Sequence, residues 1–150
     1  MKYARFIAAF LVYAIIDIAW NLSPPVRGMY ENFYESSGHD SLLDQFGRPL
    51  DELGGAVLLA ALVFFLLIGL ANSVLAIEPA LREGSLLKAA RNSFIFGCAA
   101  YATYVVPIYM MTRTWPGALV PIDILIGGAL SLITSTAITC VSLRLRRRHG

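Results

Sequence analysis

Long apolar stretches alternate with polar ones along the chain of 150 residues. A helix needs about 20 mostly apolar residues to cross a membrane. Four stretches come close to that requirement, at roughly Arg5–Leu22, Gly55–Ile77, Ala89–Met111 and Ala118–Leu143. The third contains Pro107, which is tolerated near the end of a membrane helix. The pattern predicts a single all-α domain over residues 1–150, built as a bundle of four transmembrane helices.

A polar loop interrupts this pattern between the first and second stretches. Within it, Met29, Tyr30, Phe33 and Tyr34 follow the i, i+1, i+4, i+5 spacing of an amphipathic helix. Tyrosine favours the boundary between membrane and water. We therefore expect a short helix that lies on the membrane surface.

The basic residues divide unevenly between the two ends of the predicted bundle. Nine of the 12 Lys and Arg residues fall at one end, and the other end has only Arg27, Arg48 and Arg113. Because Lys and Arg are retained on the cytoplasmic side, we expect both termini to be cytoplasmic and the long loop to face outward.

Composition supports the membrane assignment and weakens one alternative. The chain is 57% hydrophobic and 15% charged, whereas soluble domains are about 45–50% apolar and about 25% charged. A net charge of +2 without a basic stripe in the middle of the chain argues against a nucleic-acid partner.

Two carboxylates are predicted at a similar depth in the outer half of the membrane. Asp17 interrupts the apolar segment "YAIIDIAW", about five residues from the outer end of the first helix, which is roughly 7 Å at 1.5 Å per residue. Asp123 stands about five residues from the outer end of the fourth helix. Both acids therefore belong to one polar layer.

Aromatic side chains are expected in the same layer. Tyr13, Asp17 and Trp20 share one face of the first helix by their i, i+4, i+7 spacing. Tyr101 and Tyr104 of the third helix lie roughly 9–14 Å below its outer end. The layer predicts a polar cluster among the first, third and fourth helices.

The cluster has two interpretations, because a carboxylate costs about 2.5–3.5 kcal/mol near the centre of a membrane helix. In the first, Asp17 and Asp123 hold helices together through hydrogen bonds to tyrosine hydroxyls. In the second, they line a polar pocket that opens outward, with Arg27 or Arg113 at its mouth as counter-charges. In either case the two acids could share a proton.

The fourth helix also has a small or short polar residue at every fourth position below Asp123. The residues are Gly127, Ser131, Ser135 and Thr139. Such a stripe allows another helix to approach closely, so we expect it to serve packing. It shares a face with Asp123 and therefore predicts that Asp123 points into the bundle.

No recognisable catalytic set is present. The spans contain no histidine and no lysine near their middle, and the motifs HExxH, GxSxG, CxxC and the Walker loop are missing. His39 beside Asp40 and near Asp44 is a weak signal for a metal ion. We expect no metal and no cofactor, and a non-enzymatic protein is favoured although enzymatic activity stays open.

Several segments together resemble a known family. They are Asp17-x-x-Trp20, Val26-Arg27-Gly28-x-Tyr30, "EPALREGS", "FGCAAYATY" and "WPGALVPIDILIGG". In this order they resemble the predicted bacterial inner-membrane proteins catalogued as domain of unknown function 2177. The resemblance implies a four-helix protein of the bacterial inner membrane, often encoded near genes resembling fatty-acyl methyltransferases and flavin oxidoreductases. In that family a carboxylate typically follows the YATY segment, where this chain has Val105.

Three classes of function remain open, and the first is favoured: an accessory or structural subunit of a larger membrane complex, or a homo-oligomer. The small-residue stripe and the missing catalytic set support it. The polar layer of Asp17, Asp123, Tyr101 and Tyr104 favours a binder or transporter of a small molecule or lipid. The resemblance alone suggests a membrane partner of a lipid-modifying enzyme. In each class membrane lipids are the expected surroundings.

Overall fold

A computed structural model describes residues 2–36, 54–113 and 115–149 of the chain. The described residues form six α-helices and no strand: α1 Lys2–Leu22, α2 Pro24–Ser36, α3 Gly55–Ala71, α4 Glu78–Glu83, α5 Leu86–Met111 and α6 Leu119–His149. A π-helical segment, Asn72–Ile77, joins α3 to α4 without a break. The weak metal signal at His39, Asp40 and Asp44 lies outside the described residues.

The four predicted membrane helices are confirmed. The segments long and apolar enough to span a membrane are Tyr3–Leu22, Gly55–Glu83, Leu86–Met111 and Leu119–Arg148. The second and fourth extend beyond the predicted bounds because hydropathy marks where apolar residues end, and charged residues can continue a helix. The second ends at Gly84, whose φ of 67° is left-handed, a conformation that glycine adopts readily.

The helix predicted in the polar loop, α2, is also present, and local sequence explains where it begins; its position on the membrane surface stays a prediction. One residue, Ser23, separates it from α1, and the Ser23 hydroxyl donates to the Trp20 carbonyl at 2.9 Å. Pro24 and Pro25 follow directly. Proline suits the first turn of a helix because backbone N–H groups there have no carbonyl partner within the helix, so the N–H that proline lacks is not needed. The chain therefore turns sharply, and α2 begins directly at the end of α1.

The hairpin of α5 and α6 is the most closely packed part of the bundle. A Cβ placed on Gly97 of α5 would lie 2.2 Å from the carbonyl oxygen of Gly127 on α6. Two helices can come this close only where both lack side chains. The stripe below Gly127 is buried as well, with Ser131 and Ser135 both at 0% exposure.

A polar contact in the middle of the bundle was missed by the sequence analysis. Asn72, the first residue of the π segment, is fully buried. Its amide donates to the Ile68 carbonyl at 3.1 Å, and the Ser135 hydroxyl donates to its carbonyl oxygen at 3.0 Å. A second contact, 3.5 Å long, joins the amide to Ser131. Two residues of the stripe thus bind α6 to the second span as well as serving close packing.

The two ends of the bundle differ in chemistry. At one end Ala9, Ile77, Leu81 and Ile138 form an apolar core, and the Arg146 guanidinium donates to the Leu81 carbonyl at 2.9 Å. The basic ends of α1, α4 and α6 meet there. At the other end, α2 lies beside the acids Asp17 and Asp123.

Candidate functional site

The carboxyl group of Asp17 faces the interior of the bundle. Asp17 is only 8% exposed, and its Oδ1 accepts a hydrogen bond from the Tyr101 hydroxyl at 2.7 Å. The bond connects α1 to α5. A tyrosine partner for this acid is therefore present, as either interpretation of the polar layer requires.

The carboxyl group of Asp123 is more deeply buried and is held from a different direction. It is 1% exposed, and its Oδ1 accepts a hydrogen bond from the Tyr30 hydroxyl of α2. Its Oδ2 is buried and has no hydrogen-bond partner among the described residues. An unpaired carboxylate oxygen is costly in an apolar surrounding, so this atom is the least satisfied acceptor of the layer.

Two tyrosines lie between the acids. Tyr30 and Tyr104 each interact electrostatically with both Asp17 and Asp123. Among the described residues no hydrogen bond joins the two carboxyl groups directly. Each acid is paired with its own tyrosine in this arrangement, and a proton shared between Asp17 and Asp123 stays a prediction.

Two adjoining cavities open around these groups, with Tyr30 in the wall of both. The first has a volume of about 210 Å³ and is lined by Asp17 and Tyr101 together with Trp20 and Phe64. The second has a volume of about 390 Å³ and is lined by Asp123. Asn21, Tyr30 and Tyr104 line both cavities. We call the two together the outer pocket, after the sequence-based expectation that this end of the bundle faces outward.

The surface helix α2 closes one side of the outer pocket. Tyr34 packs edge-on against Trp115, with ring centroids 6.1 Å apart and planes at 83°. Burial, followed by the negative charges of Asp123 and Glu31, raises the pKa of Tyr34 to about 12. Burial and the bond to Asp123 raise the pKa of Tyr30 far above its ordinary value. Both hydroxyls therefore stay protonated at neutral pH, and Tyr30 remains a donor.

The other predicted site residues are placed as follows. Tyr13 lies deeper than the pocket, fully buried and 6.4 Å from the ring of Phe65. Arg27 lines the larger cavity and donates to the Asn21 carbonyl at 3.4 Å. Arg113 is exposed and belongs to the lining of neither cavity. Of the two suggested mouth residues, only Arg27 is at the pocket.

The structure adds residues that the sequence analysis did not assign to the site. They are Asn21, Tyr30, Glu31 and Trp115, all in the lining of the larger cavity. The sequence predicted that Tyr30 belongs to the helix in the polar loop. Its hydrogen bond to Asp123 of α6 could not be predicted, because it depends on the sharp turn at Ser23. Their polar or aromatic character next to membrane segments was the available signal.

The outer pocket presents polar atoms and aromatic rings to its two cavities. Tyrosine hydroxyls donate to one oxygen of each acid, and the second oxygen of Asp123 is buried without a hydrogen-bond partner among the described residues. Within the described part of the chain, no group of three or more His, Cys, Asp or Glu residues could hold a metal ion. The arrangement therefore offers hydrogen-bond acceptors, negative charge and aromatic faces.

Comparison with known proteins agrees with the resemblance noted from the sequence. No curated protein and no solved structure matches the chain. A family described as predicted membrane protein, domain of unknown function 2177, matches residues 3–140. That match covers nearly the whole of the first three membrane helices, most of the fourth, and every described residue of the outer pocket. The chain is a member of this family of predicted membrane proteins.

Proposed function

We propose that this multi-pass membrane protein binds a small molecule or a lipid head group in the outer pocket. The observation that carries the proposal is Asp123, which is 1% exposed and has one oxygen without a partner. Its other oxygen is held by Tyr30 at the wall of a cavity of about 390 Å³. Buried polar groups are normally hydrogen-bonded, so an unpaired carboxylate oxygen on a residue that lines a cavity supports a role for a ligand.

The size of the outer pocket suits such a ligand. Pockets for small molecules commonly have volumes of about 300–1,000 Å³ and apolar walls with a few placed polar groups. The larger cavity has that volume, and Val26, Leu22 and Trp115 supply apolar wall. The pocket lies at one end of the bundle, beside a surface helix, where a molecule can enter from water or from the lipid head groups.

The proposal is tested by mass measurement of the intact protein released from lipid nanodiscs. We expect wild-type protein to retain a discrete bound mass and Asp123→Leu to lose it. Thr139→Val is the matched control, since Thr139 is fully buried on the same helix, away from the pocket, and its hydroxyl has no partner. Equal adducts in all three proteins, or none in the wild type, would contradict the proposal.

An accessory-subunit role is the second candidate, and the surface of α3 favours it. This helix packs mainly against α1, and its other sides expose large apolar residues, among them Leu58, Leu59, Leu62 and Leu67. A partner helix could cover this surface, whether from a larger complex, a second copy or a lipid-modifying enzyme. Purification in mild detergent tests it: a stoichiometric partner supports the role, and a lone monomer contradicts it.

A further inference from the structure

The outer pocket has an excess of acidic groups. Asp17, Asp123 and Glu31 line it, and Arg27 is the one basic residue in the described lining. Neither Asp17 nor Asp123 forms an ion pair with any described residue. The ion pairs that the structure shows, Arg82–Glu78 and Lys88–Glu83, lie at the opposite end of the bundle. The pocket is therefore negatively charged unless its acids are protonated or a ligand supplies positive charge.

The hydrogen bonds in the pocket favour binding of a cation. Tyr30 and Tyr101 both donate to the acids, which favours the ionised form of a carboxyl group, whereas burial opposes that form. An ionised carboxylate in a membrane-embedded site needs a positive partner, because uncompensated charge in a low-dielectric surrounding is very costly. The buried Oδ2 of Asp123 has no hydrogen-bond partner among the described residues, so it is the atom that a positive partner in the cavity would compensate.

The aromatic lining suits the same type of ligand. Six aromatic residues surround the cavities: Trp20, Tyr30, Phe64, Tyr101, Tyr104 and Trp115. The face of an aromatic ring attracts a cation, with about 0.5–1 kcal/mol at exposed sites and about 2 kcal/mol when the cation is desolvated. Acidic groups among aromatic rings are a typical arrangement for an amine or quaternary ammonium group.

We propose that the ligand of the outer pocket carries a cationic nitrogen, an amine or an ammonium group, seated beside Asp123, whose second oxygen lacks a partner, and among the surrounding aromatic rings. This inference rests on the proposed function and specifies its ligand class. An anionic ligand fits poorly, because it would meet three acidic groups and one arginine. A free amine and an amine-bearing lipid head group share the chemistry that the pocket recognises.

The chain contains its own probe for this binding. It has two tryptophans, and Trp20 lines the smaller cavity while Trp115 lines the larger one. Tryptophan fluorescence of the intact protein in nanodiscs therefore reports on the pocket. We would titrate choline, its neutral isostere dimethylbutanol, in which carbon replaces the nitrogen, and the anion dimethylbutanoate.

The inference predicts a saturable fluorescence change with choline and no saturable change with the other two compounds. Asp123→Asn should weaken choline binding about tenfold or more, as expected when a buried charge pair loses one partner. Asp17→Asn is the second variant, because asparagine keeps an acceptor for Tyr101, and it should weaken choline binding less than Asp123→Asn does, since the ligand nitrogen is seated beside Asp123. Thr139→Val should bind choline as the wild type does.

To separate the sources, nanodiscs with and without an ethanolamine lipid would be compared. Weaker choline binding in the presence of that lipid identifies the head group as a competitor, and unchanged binding identifies a free amine. Equal responses to dimethylbutanol or dimethylbutanoate overturn the cation inference but leave the pocket in place. Failure of choline to bind overturns it as well. The nanodisc mass measurement tests the proposed function separately, through a bound mass in the wild type and its loss in Asp123→Leu.

Discussion

Gly97 and Gly127 bring the backbones of α5 and α6 into direct contact. A Cβ on Gly127 would lie 2.2 Å from the ring of Tyr101 and 2.8 Å from the Gly97 carbonyl oxygen. The same tyrosine ring holds the hydroxyl that donates to Asp17. Close packing of the hairpin therefore positions one wall of the outer pocket.

Replacement of Gly127 by alanine should accordingly destabilise the protein. One methyl group forces backbone or Tyr101 to move, and such overpacking costs about 1–3 kcal/mol. Gly28→Ala on α2 is the matched control, because nothing lies within 4 Å of its added Cβ and alanine favours a helix. The comparison is made by measuring the free energies of unfolding in mixed micelles. Equal values for Gly127→Ala and the wild type would contradict the described packing, because α5 and α6 would then accommodate the methyl group without loss of stability.

The two tyrosines of α2 should respond differently to loss of their hydroxyls. Tyr30→Phe removes the only hydrogen bond to Asp123 in the described structure and leaves a buried carboxyl unpaired, at a cost of about 1–3 kcal/mol. Tyr34→Phe removes a hydroxyl that has no partner and should be neutral or slightly stabilising. Thermal unfolding of both variants measures the difference, and a larger loss for Tyr34→Phe would refute the described docking of α2.

Alkaline pH should weaken the docking of Tyr34. Its pKa is raised from 10.0 to about 12 in the folded protein, so between these values the unfolded chain has lost a proton that the folded chain retains. The contribution of Tyr34 to stability is thus complete below pH 10 and declines as pH rises toward 12. Tyr34→Phe should show a shallower decline of unfolding free energy over that interval, and identical slopes would contradict the assigned burial.

The charge asymmetry gives a separate prediction about topology. Nine basic residues lie at one end of the bundle and the outer pocket at the other, so we expect the termini in the cytoplasm and the pocket outside. Reporter fusions at residue 150 and within residues 36–38 should report inside and outside, respectively. The reverse pattern would mean that the pocket faces the cytoplasm.

Much of the fold could be predicted because a membrane restricts the choice of structures. Backbone groups in lipid must be satisfied internally, so a long apolar run means a helix, and the period of 3.6 residues shows which residues share its face. The inward-facing positions of Asp17 and Asp123 were accessible in this way. The helix α2 also followed from its aromatic spacing.

The sequence did not predict contacts between elements whose relative angle depends on a turn or on an irregular helical segment. Tyr30 reaches Asp123 only because the chain reverses sharply at Ser23. Asn72 reaches Ser131 and Ser135 at the start of a π segment, which hydropathy does not reveal. A single asparagine within an otherwise apolar span was the signal, since a polar amide in that environment needs partners.

The most direct test of the account compares stability and binding in Asp123→Asn. The amide keeps an acceptor for the Tyr30 hydroxyl, but it removes the charge of the carboxyl group beside which the cationic nitrogen is seated. We expect the free energy of unfolding to stay within about 0.5 kcal/mol of the wild type while the affinity for choline falls about tenfold or more. Unchanged affinity together with unchanged stability would contradict the account, because the carboxyl groups would then serve only to hold the helices together.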